Sequence, residues 1–108
     1  MRRGDVVAVA LPGDFGKPRP ALIVQSDLFN ATHPTFTLLP LTSEIRSVPQ
    51  FRIMVEPSPA NGLSVISQIM VDKPMTLRRA KIHAPFGRMD DETMLRVGRA
   101  LAVWIGLA

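Results

Sequence analysis

The 108-residue chain has no cysteine and no tyrosine, and aromatic residues make up only 6% of it. Without cysteine there is no disulfide framework, thiolate metal site or cysteine nucleophile. No apolar run reaches the ~18 residues that cross a bilayer, and the short apolar stretch after Asp5 lacks the cleavage site of a signal peptide. We therefore expect one domain, residues 1–108, in the cytoplasm and away from the membrane.

Clustered metal ligands are also missing from the sequence. The acidic residues are dispersed, apart from the run Asp90–Glu92, which is typical of a helix start. The two histidines, His33 and His83, lie in different predicted elements, so their spacing gives no sign of an acid–base pair. We expect no metal and no other cofactor.

Basic residues are concentrated in one part of the chain, whose net charge is +4. Between Lys73 and Arg88 there are five basic residues and no acidic one. Such a patch suits a polyanion, either nucleic acid or an acidic protein tail. A solvated basic face explains the pattern equally well.

Short apolar runs separated by prolines and glycines predict a mainly β protein with little helix. The pattern suits a small, strongly bent sheet or barrel of five to seven short strands. Pro40 lacks an N–H group, so it should lie at a bulge or a sheet edge. The predicted strands are Asp5–Leu11, Pro20–Gln25, Phe36–Thr42, Phe51–Glu56, Leu63–Asp72 and a last short one at Ile82–Phe86.

The end of the chain has a different pattern. Asp90–Gly106 begins with acidic residues, carries apolar residues at helical spacing and ends at a glycine. We expect a C-terminal helix that packs one face on the sheet and buries Trp104.

Two segments contain residues suited to chemistry. Lys17 and Arg19 precede an apolar run, and Pro18 and Pro20 stiffen the backbone around Arg19. A guanidinium held on stiff backbone can bind two phosphate oxygens, although a loop arginine paired with Asp14 is an equal alternative. In the segment 40–43, a threonine and a serine follow an apolar strand, where they either donate hydrogen bonds into a cleft or cap the strand end.

Three segments, in this order and spacing, resemble the MazF/PemK family of type II toxin–antitoxin toxins: Gly4–Val7, Arg19–Val24 and Pro40–Ser43. The resemblance covers the chain from Arg3 to its end. It implies an SH3-like, CcdB-like small barrel that forms a homodimer. It also implies a sequence-specific, metal-independent endoribonuclease that cleaves single-stranded RNA, with messenger RNA as the expected target, and so inhibits translation and growth.

The resemblance further implies attack by the neighbouring 2′-hydroxyl, which leaves a 2′,3′-cyclic phosphate and a 5′-hydroxyl. The family's catalytic arginine falls on Arg19 and its threonine on Thr42, while Asp14 is the candidate base or the group that orients Arg19. A cognate antitoxin with an acidic docking segment is the implied partner. Candidate RNA-binding residues are Lys17, Phe15, Ser43, Gln68 and Lys73.

One departure from the family pattern and two alternative functions remain open. Where many members have an acidic residue before the glutamine, this chain has Ser67. A CcdB-like toxin that binds DNA gyrase would present an exposed apolar C-terminus, which Trp104-Ile105 could form. A non-catalytic nucleic-acid-binding barrel would need aromatic stacking residues, and this chain has few.

Overall fold

The computed structural model describes residues 1–11, 13 and 17–108. They form seven strands, a four-residue helix α1 and a C-terminal helix α2. The strands are β1 (Asp5–Ala10), β2 (Pro18–Ile23), β3 (Thr35–Thr42), β4 (Arg52–Val55), β5 (Ser67–Met70), β6 (Met75–Arg78) and β7 (Gly87–Arg88), and the helices are α1 (Asp27–Asn30) and α2 (Asp91–Trp104).

The strands form one antiparallel sheet in the order β4-β5-β3-β2-β1-β7. The long strand β3 organises it, because β2 pairs with one edge of β3 while β6 and β5 pair in succession with the other. The sheet curls into a half-barrel, and the prediction of a mainly β small barrel with a C-terminal helix is confirmed. No helix within the described ranges is long and apolar enough to cross a membrane.

Both faces of the central strands are buried, so successive apolar residues belong to different cores. One core contains Val6, Leu22 and Leu39 and packs against α2 through Val97. The other contains Val7, Ile23 and Leu38 and is closed by Phe36 and Ile82. This explains why the sequence shows continuous apolar runs in place of a polar–apolar alternation.

Pro40 lies inside the central strand, not at a sheet edge. It pairs with Ala21 of β2, and on its other side it falls between the last residue paired with β6, Leu38, and the first paired with β5, Leu41. A residue without an N–H is tolerated there because the ladder on that side changes partner. The expected edge position is therefore wrong.

After residue 70 the strands of the structure differ from the predicted ones. The predicted strand Ile82–Phe86 does not form, and only Ile82 makes an isolated bridge, to Val9. The sequence analysis missed β6, whose half-buried pattern lacks a strong apolar signal, and the two-residue β7. Strand β7 packs closely on a turn, since a Cβ at Gly87 would lie 2.1 Å from the carbonyl oxygen of Asn61.

Helix α2 begins and ends close to the predicted residues. Asp90 caps its N-terminus by accepting a hydrogen bond from the Thr93 N–H, and Gly106 follows it with a φ of +82°. Val97 is fully buried, but Trp104 is 48% exposed and makes a tilted ring contact with Phe51 at 5.4 Å. The expected burial of Trp104 is wrong, because the last turn of α2 extends past the core.

Candidate active site

A cleft of about 290 Å³ lies where β2 begins and β3 ends. It brings together four residues that the sequence analysis selected on separate segments. These are Lys17, Arg19, Thr42 and Ser43, and the cleft is also lined by Ser64 and Ser67. Two cations and several hydroxyls therefore surround a space large enough for a phosphate group and its neighbouring atoms.

The strand register explains why Arg19 and Thr42 lie together. In the β2–β3 ladder Ala21 pairs with Pro40, and Arg19 and Thr42 each lie two residues beyond this pair on their strands, at the same end of the ladder. Residues an even number of positions from a cross-strand pair project to the same face of the sheet as that pair, and both residues line the cleft. The two side chains can therefore act on one ligand.

Thr42 has its hydroxyl oriented by the backbone. Its Oγ1 accepts a hydrogen bond from the Glu44 N–H at 3.1 Å, so the capping interpretation of this residue holds. A threonine hydroxyl has one proton and two lone pairs, and accepting this bond leaves the proton for a ligand. Capping and donation are thus compatible at this residue.

Glu44 follows this turn and is paired on the surface. It accepts a hydrogen bond from the Arg46 guanidinium at 2.7 Å, and both side chains are largely exposed. This hydrogen bond, together with the positive charge of Arg46, lowers the pKa of Glu44 from its ordinary value. Glu44 is therefore ionised at neutral pH.

Ser67 occupies the position where the resemblance led us to expect an acid. It is buried, lines the cleft, and donates its hydroxyl proton to the Val65 carbonyl at 3.0 Å. At this position the cleft is therefore lined by a neutral hydroxyl group where a carboxylate was expected. Ser64 and Ser67 were missed as lining residues because the sequence gives no sign that β5 pairs with the end of β3.

Two of the predicted RNA-binding residues lie outside the cleft. Gln68 is 4% exposed, and its side-chain amide exchanges hydrogen bonds with the backbone N–H and carbonyl of Arg46 at 3.0 and 2.8 Å. Lys73 lies in the turn between β5 and β6, where it pairs with Asp72 at 3.5 Å. Asp14 and Phe15, the other two candidates, lie outside the described residues.

The basic stretch from Lys73 to Arg88 is not one open docking surface. Arg88 bonds the buried carboxylate of Asp5 at 2.8 Å. Arg79 donates to the Asn30 carbonyl at 2.7 Å and lies over the Phe36 ring at 4.7 Å. Part of this positive charge therefore stabilises the fold.

The histidines play separate roles. His33 is exposed and contacts Thr35 through Nδ1 at 3.1–3.2 Å, while His83 lies at the surface after a short 3-10 helix, Arg79–Lys81. Within the part of the chain that the structure describes, no three His, Asp or Glu side chains come together as a metal ligand set.

Comparison with known proteins identifies the family to which the chain is similar. Residues 2–105 match the family described as the PemK-like, MazF-like toxin of type II toxin-antitoxin system. The chain is 44% identical over 109 residues, covering 100% of it and 99% of the relative, to the probable endoribonuclease MazF of Mycolicibacterium smegmatis. It is 24% identical to the endoribonuclease EndoA of Bacillus subtilis, covering 99% and 96% of the two chains.

The fold is similar to that of a solved structure. An endoribonuclease in complex with its cognate antitoxin, from a mycobacterial species, superposes with a TM-score of 0.82 at 25% identity, covering 100% of this chain and 97% of that one. The chain belongs to the PemK-like, MazF-like family of type II toxin–antitoxin toxins.

Proposed function

We propose that this toxin is a sequence-specific endoribonuclease that cleaves single-stranded RNA without a metal ion. The observation that carries the proposal is that Arg19 and Thr42 line one cleft together with Lys17 and Ser43. Relatives along the whole length of the chain are named as endoribonucleases, which supports the same activity.

The proposed reaction uses the RNA's own nucleophile. The 2′-oxygen forms a bond to the adjacent phosphorus as the bond from phosphorus to the 5′-oxygen breaks, leaving a 2′,3′-cyclic phosphate and a 5′-hydroxyl. The 2′-hydroxyl proton leaves to a base, and the departing 5′-oxygen takes up a proton from solvent water. Asp14 is the proposed base, or the group that orients Arg19.

Arg19 and Thr42 would act on the charge of the phosphate. Two N–H groups of the Arg19 guanidinium can bind both non-bridging oxygens, where negative charge grows in the transition state. The oriented Thr42 hydroxyl adds a third donor. Arg19 is a poor proton donor because a guanidinium keeps its proton, so its role is electrostatic.

The remaining residues would bind the RNA around the reacting phosphate. Lys17 and Ser43 are the proposed contacts within the cleft, and Phe15 is a further proposed contact. Gln68 would contribute indirectly by holding the segment that follows Ser43, and Lys73 would contribute through its charge at the edge.

We propose a homodimer and a cognate antitoxin as the chain's assembly partners, in the cytoplasm where its RNA target is found. The similarity to an endoribonuclease solved with its antitoxin supports the second partner. Since Lys17 and Arg19 would line the RNA cleft, the antitoxin segment that covers them should be acidic.

A gyrase-binding function is the second candidate, and one observation favours it. The C-terminus is apolar and exposed, with Trp104 at 48%, Ile105 at 56% and Leu107 at 78%. The Arg19–Thr42 cleft is of no use to a gyrase inhibitor, however, and the relatives are named as ribonucleases. The ribonuclease is therefore preferred.

The test is incubation of the purified protein with long single-stranded RNA in EDTA, followed by analysis of the new ends. We expect cleavage with 2′,3′-cyclic phosphate and 5′-hydroxyl termini. Inhibition of gyrase with intact RNA would support the second candidate, and 5′-phosphate ends would contradict the proposed chemistry.

A further inference from the structure

A second cleft, of about 230 Å³, lies beyond Gln68 on β5. Three arginines line it from three different parts of the chain: Arg46 from the segment between β3 and β4, Arg52 from β4, and Arg96 from α2. None of its described lining residues is acidic. We refer to it as the arginine cleft, and the sequence analysis gave no sign of it because the three residues are far apart in sequence.

The arginine cleft is held in shape by hydrogen bonds. The Gln68 side chain fixes the backbone of Arg46, and its Oε1 also accepts a bond from the Arg52 guanidinium at 3.2 Å. The same Arg52 nitrogen donates to the Glu44 carbonyl at 2.9 Å. Both of these acceptors are uncharged oxygens, although the charge of Arg52 also contributes to lowering the pKa of the nearby Glu44.

Arg52 also has a donor that the fold does not use. Its Nε is buried and has no hydrogen-bond partner among the described residues. A buried polar group without a partner is costly and calls for an explanation, of which an absent anion is one.

The arginine cleft is a neighbour of the Arg19 cleft. Gln68 lines the former, and its direct cross-strand partner, Thr42, lines the latter. Adjacent strands lie about 4.8 Å apart, so β4 is roughly 10 Å from β3 across β5. An extended polyanion that leaves the Arg19 cleft in this direction reaches the three arginines within a few of its own repeats.

We propose that the arginine cleft binds a backbone phosphate of the same RNA strand, a few nucleotides from the cleaved bond. The inference rests on the proposed ribonuclease function and extends it to the path of the RNA. Planar guanidinium forks match phosphate oxygens. The three guanidinium groups carry more positive charge than the single nearby carboxylate, that of Glu44 paired with Arg46, can neutralise. Met54, 42% exposed at the cleft, offers an apolar surface beside the phosphate for a base or ribose.

The contact contributes to binding and takes no part in bond cleavage. Removing one arginine should therefore raise KM for long RNA with kcat unchanged, because the interaction is equal in the ground and transition states. It should also reduce the dependence of affinity on salt, since each phosphate contact to a single strand releases about 0.7 counterion.

The experiment compares Arg96→Gln with Arg99→Gln. Both arginines are exposed on α2 and lose the same charge, but only Arg96 lines the arginine cleft. The probe is a 2′-O-methyl RNA of about 20 nucleotides and mixed sequence, longer than the roughly 4–16 nucleotides that one small barrel covers. It lacks the nucleophile, so anisotropy titrations over a range of salt report binding alone.

We expect Arg96→Gln to weaken binding about two- to fivefold and to lower the salt slope by about 0.7, while Arg99→Gln matches the wild type. Arg46→Gln, in a different element, provides a second variant should Arg96→Gln alter the melting temperature. Equal behaviour of the Arg46, Arg96 and Arg99 variants would overturn the inference.

Two further outcomes separate the explanations. If Arg96→Gln weakens binding of a poly-glutamate peptide and leaves RNA binding unchanged, the arginine cleft serves an acidic protein segment and the inference is wrong. If the wild-type protein neither binds the probe nor cleaves RNA, the proposed ribonuclease function fails and the inference falls with it. If the wild-type protein cleaves RNA and the Arg46→Gln and Arg96→Gln variants bind the probe as tightly as the wild type, the inference alone is overturned.

Discussion

Arg19 on β2 and Thr42 at the end of β3 line one cleft, each two residues beyond the pair that Ala21 forms with Pro40. The two residues are 23 positions apart, and only the antiparallel pairing of β2 with β3 brings them together. A charged fork and a hydroxyl donor on one face can hold a single phosphate between them.

Thr42→Val should slow RNA cleavage about 10- to 100-fold, less than the loss of a charged donor, because valine keeps the shape and removes the hydroxyl. Thr42→Ser should retain most activity, since it keeps both the proton and the acceptor for the Glu44 N–H. Single-turnover cleavage rates provide the measurement. Wild-type rates for the valine variant would exclude Thr42 from the site.

Trp104→Ala should cost only about 1–2 kcal/mol of stability, since the side chain is 48% exposed and its ring contact is with Phe51 alone among the described rings. Val97→Ala, at the fully buried position of the same helix, should cost about 2–3 kcal/mol despite the smaller deletion. Urea unfolding of both variants tests the order. A larger loss at Trp104 would mean that its exposed face is covered, as in a dimer.

Arg88→Ala should destabilise the fold by about 2–3 kcal/mol, because it leaves the buried carboxylate of Asp5 without its ion-pair partner, while the Arg2 N–H still donates to it. Arg78→Ala, an exposed position on β6, is the matched control and should change stability by less than about 0.5 kcal/mol. Thermal unfolding of the two variants is the measurement. Equal melting temperatures would show that the Asp5–Arg88 pair contributes nothing measurable.

The cap of α2 should make stability depend on pH in acid. Hydrogen bonds from the Thr93 hydroxyl and N–H lower the pKa of Asp90 below its ordinary value of 3.8. A lowered folded-state pKa means that this stabilisation is complete above pH 3.8 and is lost as the pH falls below it through the folded value.

Asp90→Ala should therefore cost about 1 kcal/mol at neutral pH and less in strong acid. Asp90→Asn caps without titrating, so it should keep stability at neutral pH and lose this part of the acid dependence. Denaturant unfolding over an acidic pH series compares the variants. A constant difference between Asp90→Ala and the wild type at every pH would contradict the assignment.

The sequence predicted the strong features of the fold. Helix α2 was recognised from its acidic start, apolar spacing and final glycine, and the strands up to β5 were placed within a few residues because turns and prolines bound them. The weak elements β6 and β7 were missed, since their pairing depends on the edge of β3 and the approach of Gly87 to Asn61. Such contacts between distant segments cannot be predicted from local sequence.

The candidate site was predictable only in part. Arg19 and Thr42 were selected from motifs, and the structure brings them together with Lys17 and Ser43. Gln68 and Lys73 are candidate RNA-binding residues in the sequence, which does not reveal that the Gln68 amide holds the Arg46 backbone. Arg52 and Arg96 went unnoticed because no motif joins β4 to α2.

The central claim is that Arg19 stabilises the charge on the scissile phosphate, and the cleavage rate of Arg19→Ala in EDTA tests it most directly. Loss of one such donor should lower the single-turnover rate about 100- to 1,000-fold while folding and assembly persist, and Arg19→Lys should recover little because it lacks the planar fork. Arg78→Ala, which makes the same charge change on β6, serves as the control. Near wild-type cleavage by Arg19→Ala, or full rescue by lysine, would contradict the account.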